Sequence, residues 1–265
     1  MESTSLAQVG RSARIQGRVI FALLMREVLT RYGRHNIGFL WLFVEPMLFT
    51  TGVTILWTLA KAVHGSSLPI VAFALTGYSS VLLWRNMPAR CIGAIEPNLA
   101  LMYHRNVRVL DIFFARLLLE AGGATISFVV LSLFYIYIGW LEPPADVLTV
   151  VEGWVLLAWF GASLAMLLGS LAERSDVVER LWHPAAYILF PLSGAAFMVD
   201  ALPAGAQKLA LYIPMVNAVE LVRAGYFGEH IRTHYDLPYL VCFCVGLSVL
   251  ALSQAATITR GITPE

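Results

Sequence analysis

Six apolar stretches make up half of this 265-residue chain. They run from about Gly38 to Ala60, Pro69 to Met87, Ile112 to Ile138, Leu148 to Leu171, His183 to Val199, and Leu237 to Thr259. A helix needs roughly 20 apolar residues to cross about 30 Å of hydrocarbon, and five of the six reach that length. The fifth is short and ends in Ser193-Gly194-Ala195-Ala196. Inside lipid every backbone amide must be bonded within the protein, which leaves helices and closed barrels. These stretches lack the alternation of barrel strands. The expected fold is an all-α polytopic membrane protein with six transmembrane helices.

Composition agrees, with 58% hydrophobic and 13% charged residues against roughly 45–50% and 25% in soluble domains. The net charge of +1 says nothing about partners, but the placement of charge does. Arg11, Arg14, Arg18, Arg26, Arg31 and Arg34 lie ahead of the first stretch. Arg85, Arg90, Arg105 and Arg108 cluster between the second and third, Arg174 and Arg180 follow the fourth, and Arg260 lies in the tail. The other side carries Lys61, then Lys208, Arg223 and Arg232. Positive charge concentrates on the cytoplasmic side, so both termini are expected there. Trp57, Trp84, Trp140 and Trp182 fall near expected interfaces and read as an aromatic belt. The first 35 residues show no isolated apolar core with a small-residue cleavage site, so no cleavable signal is expected. Cys91, Cys242 and Cys244 read as small apolar fillers, without a disulfide framework or CxxC pair.

Three regions outside the spans carry pattern. Residues 1–36 form a cytoplasmic segment in which Arg11, Arg14 and Arg18 share one helical face and Ile15, Val19 and Leu23 a neighbouring one. That is the pattern of an amphipathic interface helix with its charges toward headgroups. Residues 88–108 form a cytoplasmic loop where Pro97 can open a short helix over Asn98–Tyr103. Leu99, Leu101, Met102 and Tyr103 would have no core there, which suggests a partner surface. Residues 200–236 are too apolar for a solvated loop and too broken for a span. They read as one or two re-entrant or interfacial helices on the outer side, over Ala206–Ile213 and Val216–Val222. His230, His234 and Asp236 have passable ligand spacing, but a plain surface loop is favoured and no metal is expected.

Few polar groups lie inside the spans. Glu45, followed by Pro46, is costly in lipid and is expected to face the bundle interior, an arginine or water. Arg116 and Glu120 lie near the start of the third span. The chain has two lysines, Lys61 and Lys208, and neither follows a glycine, so a GxxxxGK[ST] phosphate loop is impossible. HExxH, GxSxG and intramembrane carboxylate pairs are missing too, as is any repeat between the halves. An enzyme is therefore disfavoured, and a transporter built this way would draw its energy from another chain.

Residues 31–41, from Arg31-Tyr32-Gly33-Arg34 to Gly38-Phe39-Leu40-Trp41, followed by Glu45-Pro46, resemble the approach to span one in type-2 ABC exporter permeases. The similarity is greatest to the capsular polysaccharide branch, the KpsM type. Asn98-Leu99 through Arg105-Asn106-Val107-Arg108-Val109-Leu110-Asp111 is similar to that family's coupling segment. Ile213-Pro214-Met215-Val216-Asn217-Ala218-Val219-Glu220-Leu221-Val222-Arg223, ending in Gly225-Tyr226-Phe227-Gly228, resembles its external segment before span six.

The resemblance implies a permease domain over residues 37–260 and a short cytoplasmic tail, 261–265. It implies a homodimer in the inner membrane, paired with a cytoplasmic ABC ATPase dimer that holds the ATP and magnesium. The chain itself would bind no cofactor and no nucleic acid. The substrate would be a lipid-linked acidic polysaccharide, passed on to a periplasmic co-polymerase and an outer-membrane exporter. Substrate would be admitted at Arg11, Arg14, Arg18, Arg31, Arg34, Trp41 and Glu45. Phe134, Tyr135, Tyr137, Trp140 and Tyr187 could offer aromatic faces to sugar rings along the path. Asn98, Leu99, Leu101, Met102, Tyr103, His104 and Arg105 would couple to the ATPase, and Pro214, Asn217, Glu220 and Arg223 would form a periplasmic gate. O-antigen, teichoic acid or small-amphiphile export stays open at this point, as does a membrane enzyme or scaffold without transport.

Overall fold

The computed structural model describes residues 2–32, 36–64, 70–103 and 107–262. Ten α-helices follow one another among them. α1 (Glu2–Tyr32), α2 (Asn36–His64) and α3 (Ile70–Cys91) come first. A 3₁₀ turn at Glu96–Asn98 leads into the single turn α4 (Leu99–Met102). α5 (Val109–Tyr137), α6 (Val147–Ala172) and α7 (Asp176–Leu192) are followed by the short pair α8 (Ala204–Leu211) and α9 (Pro214–Phe227), and α10 (Leu237–Ile262) closes the chain. Among the described residues there is no strand. Among the described residues four helices, α2, α5, α6 and α10, are long and apolar enough to cross a membrane.

α6 is the hub, packed against α3, α9 and α10. Lipid tails are as apolar as leucine, so burial alone does not drive these contacts, and close van der Waals approach and interhelical hydrogen bonds must hold them. Glycine supplies the approach. A Cβ on Gly161 would lie 2.9 Å from the Cα of Trp84, and one on Gly153 2.7 Å from the amide nitrogen of Val222. Hydroxyls supply the bonds: Trp159 Nε1 donates to Ser248 Oγ at 2.8 Å, and Trp154 Nε1 donates to Thr125 Oγ1 at 2.9 Å. Each such bond contributes about 0.6–2 kcal/mol in a membrane. Trp154 also stacks on Phe128, with ring centroids 4.4 Å apart.

Two expectations are corrected here. Trp84 and Trp182 are not belt residues; both are buried in the core, and Trp84 meets Phe160 edge to face. The fifth apolar stretch is displaced toward the N-terminus, because its helix starts at Asp176 and stops at Leu192. It stops where Ser193 Oγ donates back to the Phe190 carbonyl at 2.7 Å and Gly194 takes φ +83°, a left-handed conformation that favours glycine. α7 buries only Trp182 and Ala186 and holds Pro184 and Pro191 within it.

α9 is buried along almost its whole length, and its C-terminal end fastens the start of α6. Asp146 N donates to Gly225 O at 2.8 Å and Ala145 N to Tyr226 O at 3.1 Å. That requires backbone contact: a Cβ on Gly225 would sit 2.5 Å from Val150 N. Asp146 then caps α6 by accepting from the Leu148 amide at 2.9 Å. The Thr149 hydroxyl, and after it that amide, hold the Asp146 carboxyl below the usual carboxylate range. α8 and α9 fall where one or two helices were expected, over Ala206–Ile213 and Val216–Val222.

Candidate functional site

At the end of the bundle where α1 lies, charges from three helices converge. α1 packs on α5 through its apolar face, with Leu23 buried and Ile15 and Val19 half-buried. Arg31 pairs with Glu120 of α5, and with Glu27 one turn back at 3.2 Å. Arg90, near the end of α3, places Nε 3.1 Å from the same Glu120 carboxylate. Arg116 Nε lies 3.1 Å from Glu27, and its Nη1 donates to the Arg90 carbonyl at 2.6 Å. Three guanidinium groups thus surround two carboxylates, one of them buried. Farther along α1, Gln16 bonds Asp111 of α5. Arg26 bonds Asn98 Oδ1 and reaches the Pro97 carbonyl at 3.4 Å, so α1 also grips the turn before α4.

Arg31 is therefore committed to an internal ion pair and not presented to a ligand. Arg11, Arg14 and Arg18 are exposed, and they flank a groove with Gly10 and Ile15. Among the described residues none of the three meets a carboxylate. Arg34, His104 and Arg105 lie outside the described residues. Glu45 does not face the interior of the bundle. It is exposed with Trp41 and Leu48 on α2, because α2 turns Leu42, Thr50 and Thr54 inward instead.

In the turn around α4, Asn98 is buried and donates to the Ala94 carbonyl at 2.8 Å. Leu99 and Tyr103 are exposed, Tyr103 to 84%. Leu101 and Met102 differ from expectation and pack partly against the core, because a single helical turn can present only one side outward.

The aromatic set divides. Phe134, Tyr137, Trp140 and Tyr187 are exposed. Tyr135 is fully buried and donates to Thr51 Oγ1 at 3.0 Å, so it joins α5 to α2 and offers no face to a sugar. Trp140 lines a cavity of about 750 Å³ with Ile70, Glu142, Tyr226, Phe227 and His230.

The four residues expected as a gate are all buried on α9. Arg223 Nη1 donates to the Gly194 and Phe197 carbonyls at 2.7 and 2.6 Å, and Nη2 to Ala195 O at 2.9 Å. Its guanidinium also covers the Phe73 ring at 4.3 Å. Glu220, 3.7 Å from Arg223, accepts from the Val199 and His234 amides at 3.3 and 3.1 Å. Asn217 donates to the Leu211 carbonyl at 2.7 Å and accepts from the Asp236 amide at 2.7 Å. Pro214 opens the helix at its first position, where a missing N–H costs nothing. The set staples the segment after α7, and the one before α10, onto α9. His234 pairs with Asp200 at 2.9 Å, and no metal-ligand cluster is found among the described residues.

Glu27, Arg90 and Arg116 were missed as members of the charged junction. Glu27–Arg31 and Arg116–Glu120 both have the four-residue helical spacing that marks a shared face, which was the available signal.

Residues 18–227 match the family described as ABC-2 type transporter. The chain is 44% identical over 255 residues to the Haemophilus influenzae capsule polysaccharide export inner-membrane protein BexB, covering 96% of each chain. It is 45% identical, with the same coverage, to the capsule polysaccharide export inner-membrane protein CtrC of Neisseria meningitidis serogroup B. The Escherichia coli polysialic acid transport protein KpsM is 26% identical, over 92% of this chain and 97% of its own.

Proposed function

Because the chain belongs to the ABC-2 type transporter family, we propose that it is the inner-membrane permease through which a capsular polysaccharide leaves the cytoplasm. The observation that carries this is end-to-end similarity at 44–45% identity to two capsule polysaccharide export proteins. α3 and α7 join the four long apolar helices as the remaining spans, both termini are cytoplasmic, and α8 and α9 lie at the periplasmic face. In the 18-residue apolar windows of the Leu40–Ala60 and Leu237–Ile258 helices only 17% of the residues are buried within the chain, which leaves faces for lipid and for a second copy.

ATP is hydrolysed by a separate subunit, since this chain has no phosphate-binding loop. Leu99 and Tyr103 enter a groove on that ATPase. Arg26, bonded to the turn that carries them, passes its movement to α1. The exposed Arg11, Arg14 and Arg18 recruit an anionic, lipid-linked polymer at the inner leaflet. A periplasmic co-polymerase and an outer-membrane exporter receive it.

Complementation tests the proposal. A capsule-producing strain deleted for its own permease and ATPase, then given this chain with its cognate ATPase, should regain surface polysaccharide. Polymer that stays in the cytoplasm despite correct insertion of both subunits would refute it.

A further inference from the structure

We propose that Arg85, held against the rings of Tyr187 and Phe190, is an oxyanion-binding station for the exported molecule at the seam between α3 and α7. This deepens, and rests on, the permease reading above.

Arg85 lies six residues before the end of α3 at Cys91, about 9 Å along the helix, toward the end that carries the cytoplasmic arginine cluster. Its guanidinium carbon is 4.9 Å from the centroid of the Tyr187 ring and 5.8 Å from that of Phe190. Phe190 also meets Tyr78, seven residues before Arg85 on the same face of α3, with ring centroids 5.8 Å apart. The seam is thus built by two helices at more than one level.

The other arginines of this region are satisfied within the protein. Arg31 and Arg90 meet Glu120, Arg116 meets Glu27, and Arg223 meets three carbonyls. Among the described residues Arg85 has neither an ion-pair partner nor a hydrogen-bond acceptor. A half-buried guanidinium set against two rings, with no acceptor of its own, leaves its N–H groups free for a ligand.

The two rings lie against the guanidinium, and its N–H groups form a fork suited to phosphate or carboxylate. Tyr187 is 69% exposed, so the seam opens to the outside of the bundle, where a lipid-linked molecule would arrive. A cation–aromatic platform with one arginine binds an oxyanion without enclosing it, as translocation requires. The two sources of such a group are the phosphate of a lipid anchor and the carboxylates of an acidic polymer.

The test uses the permease assembled with its ATPase in phosphatidylcholine nanodiscs. Two probes are titrated: phosphatidylglycerol, counted by native mass spectrometry, and oligogalacturonate, followed by calorimetry. R85Q should weaken at least one probe tenfold or more, R85K should fall between, and Y187F should bind better than Y187L. R180Q, which removes an exposed arginine of α7, controls for charge count. Loss of phosphatidylglycerol alone identifies the anchor phosphate, loss of oligogalacturonate alone the polymer, and loss of both a shared station. Wild-type affinity for both probes in R85Q overturns the proposal, as does equal weakening by R180Q. If R85Q does not assemble, R85K decides in the same way, since it keeps the charge and removes the fork. Should wild-type protein restore surface polysaccharide while R85Q binds both probes normally, only the station falls. Should wild-type protein restore none, the permease reading falls, and the binding measurements still judge the station.

Discussion

Arg116 of α5 sets its Nε 3.1 Å from the carboxylate of Glu27 on α1, although Glu120, one turn away on its own helix, has the spacing to pair with it. Glu120 instead accepts Arg31 and Arg90. Each of these two groups on α5 reaches across to another helix, so the junction ties α1, α3 and α5 together, with the Glu27–Arg31 pair as its one contact within a helix. The N-terminal helix is consequently part of the bundle as well as a candidate membrane-surface element.

Reversing the Arg116–Glu27 pair tests that role. Both side chains are mostly buried, at 14% and 18% exposure. Either E27R or R116E should lower stability by about 2 kcal/mol. The double variant should recover part of the loss, not all of it, because Arg116 also donates to the Arg90 carbonyl. Thermal unfolding of the purified protein gives the coupling energy. Strict additivity would show that the pair does not hold α1 to α5.

Tyr103→Asp should leave membrane insertion intact and abolish association with the ATPase, because it would bury a charge in a partner groove. Leu101→Asp should instead destabilise the permease itself, since Leu101 packs inward. Co-purification of the ATPase, with protein yield recorded alongside, separates these effects. Normal export by the Tyr103 variant would remove this turn from the coupling path.

Arg223→Met would strip donors from three carbonyls and leave Glu220 buried without its cation. A loss of about 3–5 kcal/mol is expected, read as a collapse in yield and thermal stability. Glu220→Gln keeps an acceptor for one of the two amides it now serves and should cost about 1–2 kcal/mol. Equal, small effects from both would contradict a structural staple.

Arg11, Arg14 and Arg18 changed together to Gln should preserve orientation, because Arg26, Arg31 and Arg34 keep positive charge ahead of the first span, on the side proposed to be cytoplasmic. Each contributes about 1 kcal/mol of attraction to an anionic surface. Their joint loss should weaken recruitment more than a hundredfold if the effects add. Surface polysaccharide measured in an otherwise capsulated strain should fall sharply. Unimpaired export would reduce these residues to a topology signal.

Much of the architecture could be read from the chain because membrane helices leave a long compositional mark. The helix starting at Val147 and the one starting at Leu237 begin within a residue of their apolar stretches. α7 was misplaced because composition reports where lipid can be met, not where hydrogen bonding stops: its first turn is polar and still helical. The charged junction escaped notice because its contacts between helices, Arg31 and Arg90 with Glu120 and Arg116 with Glu27, are made by tertiary packing, and the four-residue spacings within α1 and α5 mark only a shared face. Tyr135 and Trp84 were misjudged for a related reason. An aromatic residue near a span end can face either way, and only its neighbours decide.

The poor packing of α7 has a mechanical meaning. One end is pinned by the Arg223 contacts to Gly194, Ala195 and Phe197, and the other by a turn of three residues after α6. Between these pivots it buries two side chains. A rod anchored at both ends and held between them by two buried side chains cannot slide along its axis. Tyr187 and Phe190 therefore keep a fixed height against Arg85, and the platform they form is set by where the two ends of α7 are tied.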